Sequence, residues 1–154
     1  MTTQERIDAV REAFPEVKRL CDTYVAATEE FVKAMLGDRY RECDHNMFTL
    51  KEELAFEATN HPAVAAKAKA EKEISEYMHS LSHSVATAML TTMYIGCIMP
   101  EAILSENDTP ERFFERFEQT LDKHVLQFAK STLATKPPCL VRYLRGGLKV
   151  LTAQ

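Results

Sequence analysis

The run HSVATAMLTTMYIGCIM, residues 83–99, contains no Asp, Glu, Lys or Arg and is apolar nearly all round. A helix of that kind has no face for water, so other helices must enclose it. Extended to residues 85–104, the segment holds three threonines, a glycine, Pro100 and Glu101. Its clean apolar part is shorter than the roughly 20 residues needed to cross a bilayer. The reading is therefore a buried central helix that Pro100 interrupts. The rest of the chain must supply amphipathic helices to cover it.

Those helices can be traced in both directions. Upstream, Thr2-Thr3-Gln4-Glu5 fits a capping box, in which hydroxyl and carboxylate satisfy each other's backbone amides. Ile7, Val10 and Phe14 follow at helical spacing, and Pro15 is expected to kink this helix or start the next. Val17, Leu20, Cys21, Tyr24, Val25 and Thr28 continue the stripe. Thr49-Leu50-Lys51-Glu52 is a second capping box, opening a short helix with Leu50 and Leu54 expected to face inward. Asn60-His61-Pro62 is a break, with Pro62 at the first position of a helix reaching about Ser80. Downstream, Asp108-Thr109-Pro110-Glu111 starts a helix whose stripe is Phe113, Phe114, Phe117, Leu121, Val125 and Phe128. Lys136-Pro137-Pro138 ends it. A last short helix, 139–145, precedes Gly146-Gly147. No segment reads as a strand. The sequence thus predicts an all-α fold, a single-domain helical bundle over residues 1–154 with amphipathic helices around a central hydrophobic one.

Composition agrees with one domain. The 154 residues are 45% hydrophobic and 27% charged, an ordinary globular balance, long enough to bury a core without staples. A formal net charge of −4 argues against a general nucleic-acid binder. Cys21, Cys43, Cys97 and Cys139 form no CxxC and read as reduced thiols of a cytosolic-type protein. The polar start predicts no secretory leader. The tail, 136–154, carries Lys136, Arg142, Arg145 and Lys149 and no acid. It reads as a solvated basic face without a membrane anchor, able to touch acidic lipid or a partner.

Signs of chemistry are few. His79 and His83 stand four apart, and Glu76 lies three before His79, so the three would share a helix face at metal-ligand spacing. Two groove-lining or surface histidines are the plainer reading, and no metal or other cofactor is expected. The sequence contains no nucleophile elbow and no glycine-rich phosphate loop, which points away from an enzyme. The methionines Met78, Met89, Met93 and Met99 suit a core, and equally a groove that accepts a helix.

The remaining puzzle is FVKAMLGDRYRECDHNMF, residues 31–48, which reads as one amphipathic helix with Gly37 and Asp38 in its middle. A mid-helix glycine costs about 1 kcal/mol relative to alanine, and aspartate is a poor interior residue because its carboxylate competes for backbone groups. Either the helix ends there, or something packs very closely against Gly37 and something charged meets Asp38.

With a hydrophobic helix in mid-chain and a Gly-Asp helix upstream, the chain resembles the Bcl (B-cell lymphoma two) family of apoptosis regulators, of a divergent, virus-encoded type. VKAMLGDRYRECDHNMF looks like that family's third homology motif, with Gly37 as the small residue, Asp38 as the acid and Tyr40 as the next apolar position. Lys33 stands where the family has leucine. EYMHSLSHSVATAMLTTMYIGCI resembles the approach to its central helix, and ERFFERFEQTLDKHVLQFAK its sixth. Leu81-Ser82-His83-Ser84 occupies the place of the family's Asn-Trp-Gly-Arg signature.

The resemblance implies an apoptosis inhibitor that sequesters pro-apoptotic partners by holding their amphipathic death-motif helix in a groove. Tyr40, Cys43, Met47 and Phe48 would form one wall, with Met78, Leu81, Val85 and Met89 as floor and opposite wall. Without the signature arginine, His83, or failing it His79, would meet the partner's aspartate, so few partners would bind. An empty groove would favour a homodimer. The expected location is cytoplasmic, or peripheral at the mitochondrial surface. Two alternatives stand beside this reading: a bundle that binds a metal or cofactor through Glu76, His79 and His83, and a ligand-free structural or assembly module.

Overall fold

In the computed structural model, which describes residues 1–42 and 44–152, the chain is all-helical. In order come α1 (Thr3–Leu36), a 3-10 turn (Gly37–Arg39), α2 (Leu50–Glu57), α3 (Pro62–Ser80) and α4 (His83–Ile98). They are followed by α5 (Pro110–Thr120), α6 (Lys123–Gln127), α7 (Ala129–Ala134) and α8 (Pro137–Val150). Starts follow local chemistry. Both capping boxes form: Thr2 with Glu5 opens α1 and Thr49 with Glu52 opens α2. Ser82 and Thr109 accept from backbone amides at the starts of α4 and α5, each cap being worth about 1 kcal/mol. Pro62, Pro110 and Pro137 sit in first turns, where a missing amide costs nothing.

The central helix is α4. From Ala86 to Gly96 only Tyr94 escapes full burial. It packs on α8, α1, α7, α5 and α6, while α3 lies on α1 and α7. The threonines are tolerated there because each hydroxyl turns back on the helix. Thr91 donates to the Thr87 carbonyl at 2.8 Å and Thr92 to that of Ala88 at 2.8 Å. One polar clamp ties α4 to two neighbours. Arg6 of α1 donates to both carboxylate oxygens of Glu118 on α5, at 3.0 and 2.6 Å, and also to the Ser84 carbonyl and the Thr87 hydroxyl.

The helices meet most intimately where α4 crosses α8. A Cβ on Gly96 would lie 1.7 Å from the Tyr143 carbonyl oxygen, and one on Gly147 would lie 1.9 Å from that of Thr92. The backbones touch with no room for a side chain. This explains a departure from the sequence reading, which stopped the last helix at 145. Gly146 and Gly147 lie inside α8 because they are its contact surface with α4.

Other boundaries also differ. α1 runs unbroken through Pro15. Pro15 is exposed, and Ile7, Val10, Val17, Leu20 and Cys21 on either side of it bury in the same core, which holds the two halves in line. The stretch expected as one helix over 31–48 ends at Leu36. Gly37 takes φ +56°, its amide caps the Lys33 carbonyl, and a Cβ there would meet nothing within 4 Å. Backbone conformation, not a close neighbour, is what asks for glycine. The phenylalanine stripe is divided between α5 and α6, with Leu121 capping α5 and Phe128 standing between α6 and α7. Leu121 is extended and Asp122 caps α6 through the His124 amide. Phe114 is buried and Phe128 is half exposed.

Candidate functional site

The described residues between Gly37 and Thr59 form an arm folded against the C-terminal end of α1 and the first turns of α3. Its attachment is thin. Phe56 stands edge-on to Phe31 with ring centroids 5.0 Å apart, and faces His61 at 5.4 Å. Lys67 of α3 reaches Glu53 at 3.7 Å and lies 4.5 Å over the Phe31 ring. Arg39 bonds Glu52 at 2.9 Å across the arm itself. That guanidinium, with the Thr49 amide, holds the Glu52 carboxyl below its ordinary pKa. Tyr40 donates to Glu29 at 3.1 Å and lies under Lys33. Partial burial and the Glu29 carboxylate push its phenol pKa up. Asn46 closes the loop, accepting from the Arg41 amide at 2.8 Å and donating to the Arg41 carbonyl at 3.0 Å.

The arm's apolar side chains turn mostly outward. Met47 is 85% exposed, Leu50 69%, Leu54 56% and Phe48 36%. Leu50 and Leu54 were expected to face inward. In the structure Phe56 takes the inward position on α2, and no residue of α2 is fully buried. Leu50 and Leu54 stand four apart on the exposed side of α2, while Met47 and Phe48 lie in the non-helical segment just before its cap, Thr49. Beside the arm lies a depression of about 280 Å³, lined by Phe31, Glu57, Val64, Lys67, Ala68 and Glu71.

The residues expected to form one groove are not gathered into one. Met78 and Met89 are fully buried and belong to the core. Leu81 and Val85 are half buried around the junction of α3 and α4, and Leu81 packs against that core. Tyr40, Met47 and Phe48 belong to the arm, and Cys43 lies outside the described residues. The histidines stand at the far end of α3. From Lys67, which touches the arm, to His79 is twelve residues, about 18 Å of helix. Asp38 is exposed at the end of α1, and its carbonyl accepts from Arg41 at 3.0 Å. The exposed cations of the arm are Arg41 and Lys51, and His79 and His83 lie away from it.

The proposed metal triad is also dispersed. α3 ends at Ser80 and α4 begins at His83, so His79 and His83 do not share a helix. The Nδ1 of His79 is engaged with the Ser75 carbonyl at 2.8 Å, and Glu76 pairs with Lys72. Among the described residues no three His, Cys, Asp or Glu side chains are grouped to hold a metal ion. Lys67 escaped the sequence reading altogether, because a lysine in an alanine-rich stretch reads as solvated. A hint lay in its spacing to Glu71, which it also approaches, at 3.6 Å.

Comparison with protein-family models, with curated proteins and with solved structures finds no match for this chain.

Proposed function

We propose that the protein is a protein-interaction module that binds an amphipathic helix of a partner, and that the partner is a pro-apoptotic death-motif protein whose sequestration inhibits apoptosis. The observation that carries the helix-binding part is the exposed pair Leu50 and Leu54 on α2, with Met47 and Phe48 exposed in the segment just before it. Exposed apolar side chains close together in the chain suit an interaction surface, and Leu50 and Leu54 could pack on the apolar face of another helix. The apoptotic identity of the partner rests on the sequence resemblance around Gly37 and Asp38. This surface takes the place of the groove expected from sequence, because Met78 and Met89 lie in the core and Leu81 packs against it.

The test is calorimetric titration of the full chain with a panel of death-motif peptides. Micromolar or tighter binding of at least one peptide is expected, weakened by Phe48→Glu or Leu54→Glu with the melting temperature unchanged. No binding across the panel removes the apoptotic reading. Binding that ignores both substitutions removes the arm as its site.

A further inference from the structure

The outward face of α8 is cationic and unpaired. Leu140, Leu144, Gly147 and Leu148 turn inward, which leaves Arg142, Arg145 and Lys149 exposed along one side. From Lys123 to Thr152 the chain has six Lys or Arg residues and no Asp or Glu, although the whole carries −4. Elsewhere the surface cations of α1 and α3 largely pair with carboxylates on their own helices. Among the described residues, Arg142, Arg145 and Lys149 meet no carboxylate within ion-pair reach.

Beside this stripe, aliphatic side chains stand out from the turn after α4. Ile103 is 85% exposed and borders the same depression as Lys149. Ile98, at the end of α4 and leading into that turn, is 62% exposed. We propose that this face docks on an anionic lipid surface, with Arg142, Arg145 and Lys149 at headgroup level and Ile103 entering the acyl boundary. A bilayer offers diffuse negative charge and accepts protruding apolar tips without a matching pocket. No single described helix is long and apolar enough to cross a membrane, and the contact proposed is one of surface side chains. Glu101, which lines the same depression as Lys149, and Glu106, exposed further along the same segment, are opposing charges.

Sedimentation of the full chain with vesicles tests this, using phosphatidylcholine alone and phosphatidylcholine with about one third phosphatidylserine. Binding is expected to the anionic vesicles only, and to fade at high salt. Each cation at the surface is worth roughly fivefold in partitioning, so Arg142→Gln with Lys149→Gln should weaken binding about thirtyfold. Arg145 is left intact because it lies over Phe14. Ile103→Ser should weaken binding several-fold, and Glu101→Gln should strengthen it. Failure to sediment with anionic vesicles overturns the proposal. So does equal binding by the double variant. Saturable binding of poly-glutamate that ignores Ile103→Ser would assign the stripe to an acidic protein instead and overturn the lipid reading.

Discussion

Replacing Gly147 by alanine should destabilise the protein far more than the size of a methyl group suggests. The new Cβ would sit 1.9 Å from the Thr92 carbonyl oxygen and 2.9 Å from the Thr92 methyl. The first obstacle is backbone, so no rotamer change relieves it, and α4 and α8 must part by at least about 1 Å. A gap of that size forfeits a quarter to a half of the dispersion energy across it. The interface buries Leu140, Leu144 and Leu148 against the most enclosed helix of the fold, and each such side chain contributes about 1.5–3 kcal/mol. A quarter to a half of about 4.5–9 kcal/mol for the three leucines is a loss of about 1–4 kcal/mol. Removing a mid-helix glycine returns about 1 kcal/mol, leaving a net cost of up to about 3 kcal/mol. For a chain of this length that lowers Tm by up to roughly 12 °C. Gly96→Ala should behave alike, since its Cβ would lie 1.7 Å from the Tyr143 oxygen. Gly146→Ala is the control. Its Cβ would come no nearer than 3.3 Å to Gly96, a shift of tenths of an ångström, so stability should stay within about 1 kcal/mol of the parent. Thermal and urea unfolding of the three variants reads the series. Equal melting temperatures for Gly146→Ala and Gly147→Ala would refute the crossing as described.

The thin attachment of the arm predicts that Phe56→Ala costs only about 1–2 kcal/mol, because Phe56 is half buried. Hydrogen exchange should accelerate across 40–57 while α4 stays protected, and uniform acceleration would disprove independent release. The pKa of Glu52 is lowered on folding by Arg39 and the Thr49 amide, so its stabilising contribution is complete above its ordinary value of 4.5 and is lost as pH falls through the lowered one. Tm should therefore drop on acidification below about 4.5, and Glu52→Gln should reduce that drop. Identical pH profiles would exclude this linkage. Burial pushes the Cys21 thiol pKa up to about 11, whereas Cys97 is exposed. Alkylation near pH 8 should label Cys97 promptly and Cys21 only on unfolding, and comparable rates in the folded state would contradict that burial.

Much of the fold was legible because it rests on local rules. The two capping boxes, the proline starts and the all-apolar run at 83–99 each depend on a few neighbouring residues, and each forms as its chemistry dictates. The misreadings share a different cause. Pro15 and Gly146-Gly147 are punctuation in isolation, and both lie inside helices because of tertiary contacts. Pro15 costs one backbone hydrogen bond, but core side chains bury on both sides of it. Gly146-Gly147 lies inside α8 because α4 approaches too closely for any Cβ. Conversely, the break at Leu121-Asp122 was hidden by a phenylalanine stripe whose period continues across it. Periodicity reports which side chains are apolar, not whether the axis they decorate is continuous.

The candidate site was less legible for a reason that follows from the same physics. A stripe at i, i+3, i+4 and i+7 buries equally well in a core or in a partner's groove, so Met78 and Met89 could not be told from Met47 and Leu50 by spacing. What separates them is helix context. Met78 and Met89 sit in α3 and α4, where neighbouring turns supply further apolar side chains and the surrounding helices close over them. α2 has eight residues, and its one inward anchor, Phe56, already occupies the contact with Phe31. Leu50 and Leu54 lie on the other side, with no described element of this chain packed over them. Leaving Leu50, Leu54 and Met47 in water forgoes several kcal/mol of burial. A helix laid against Leu50 and Leu54 would recover part of that burial, which is why substitution at Leu54 is the sharper test of the arm as a docking surface.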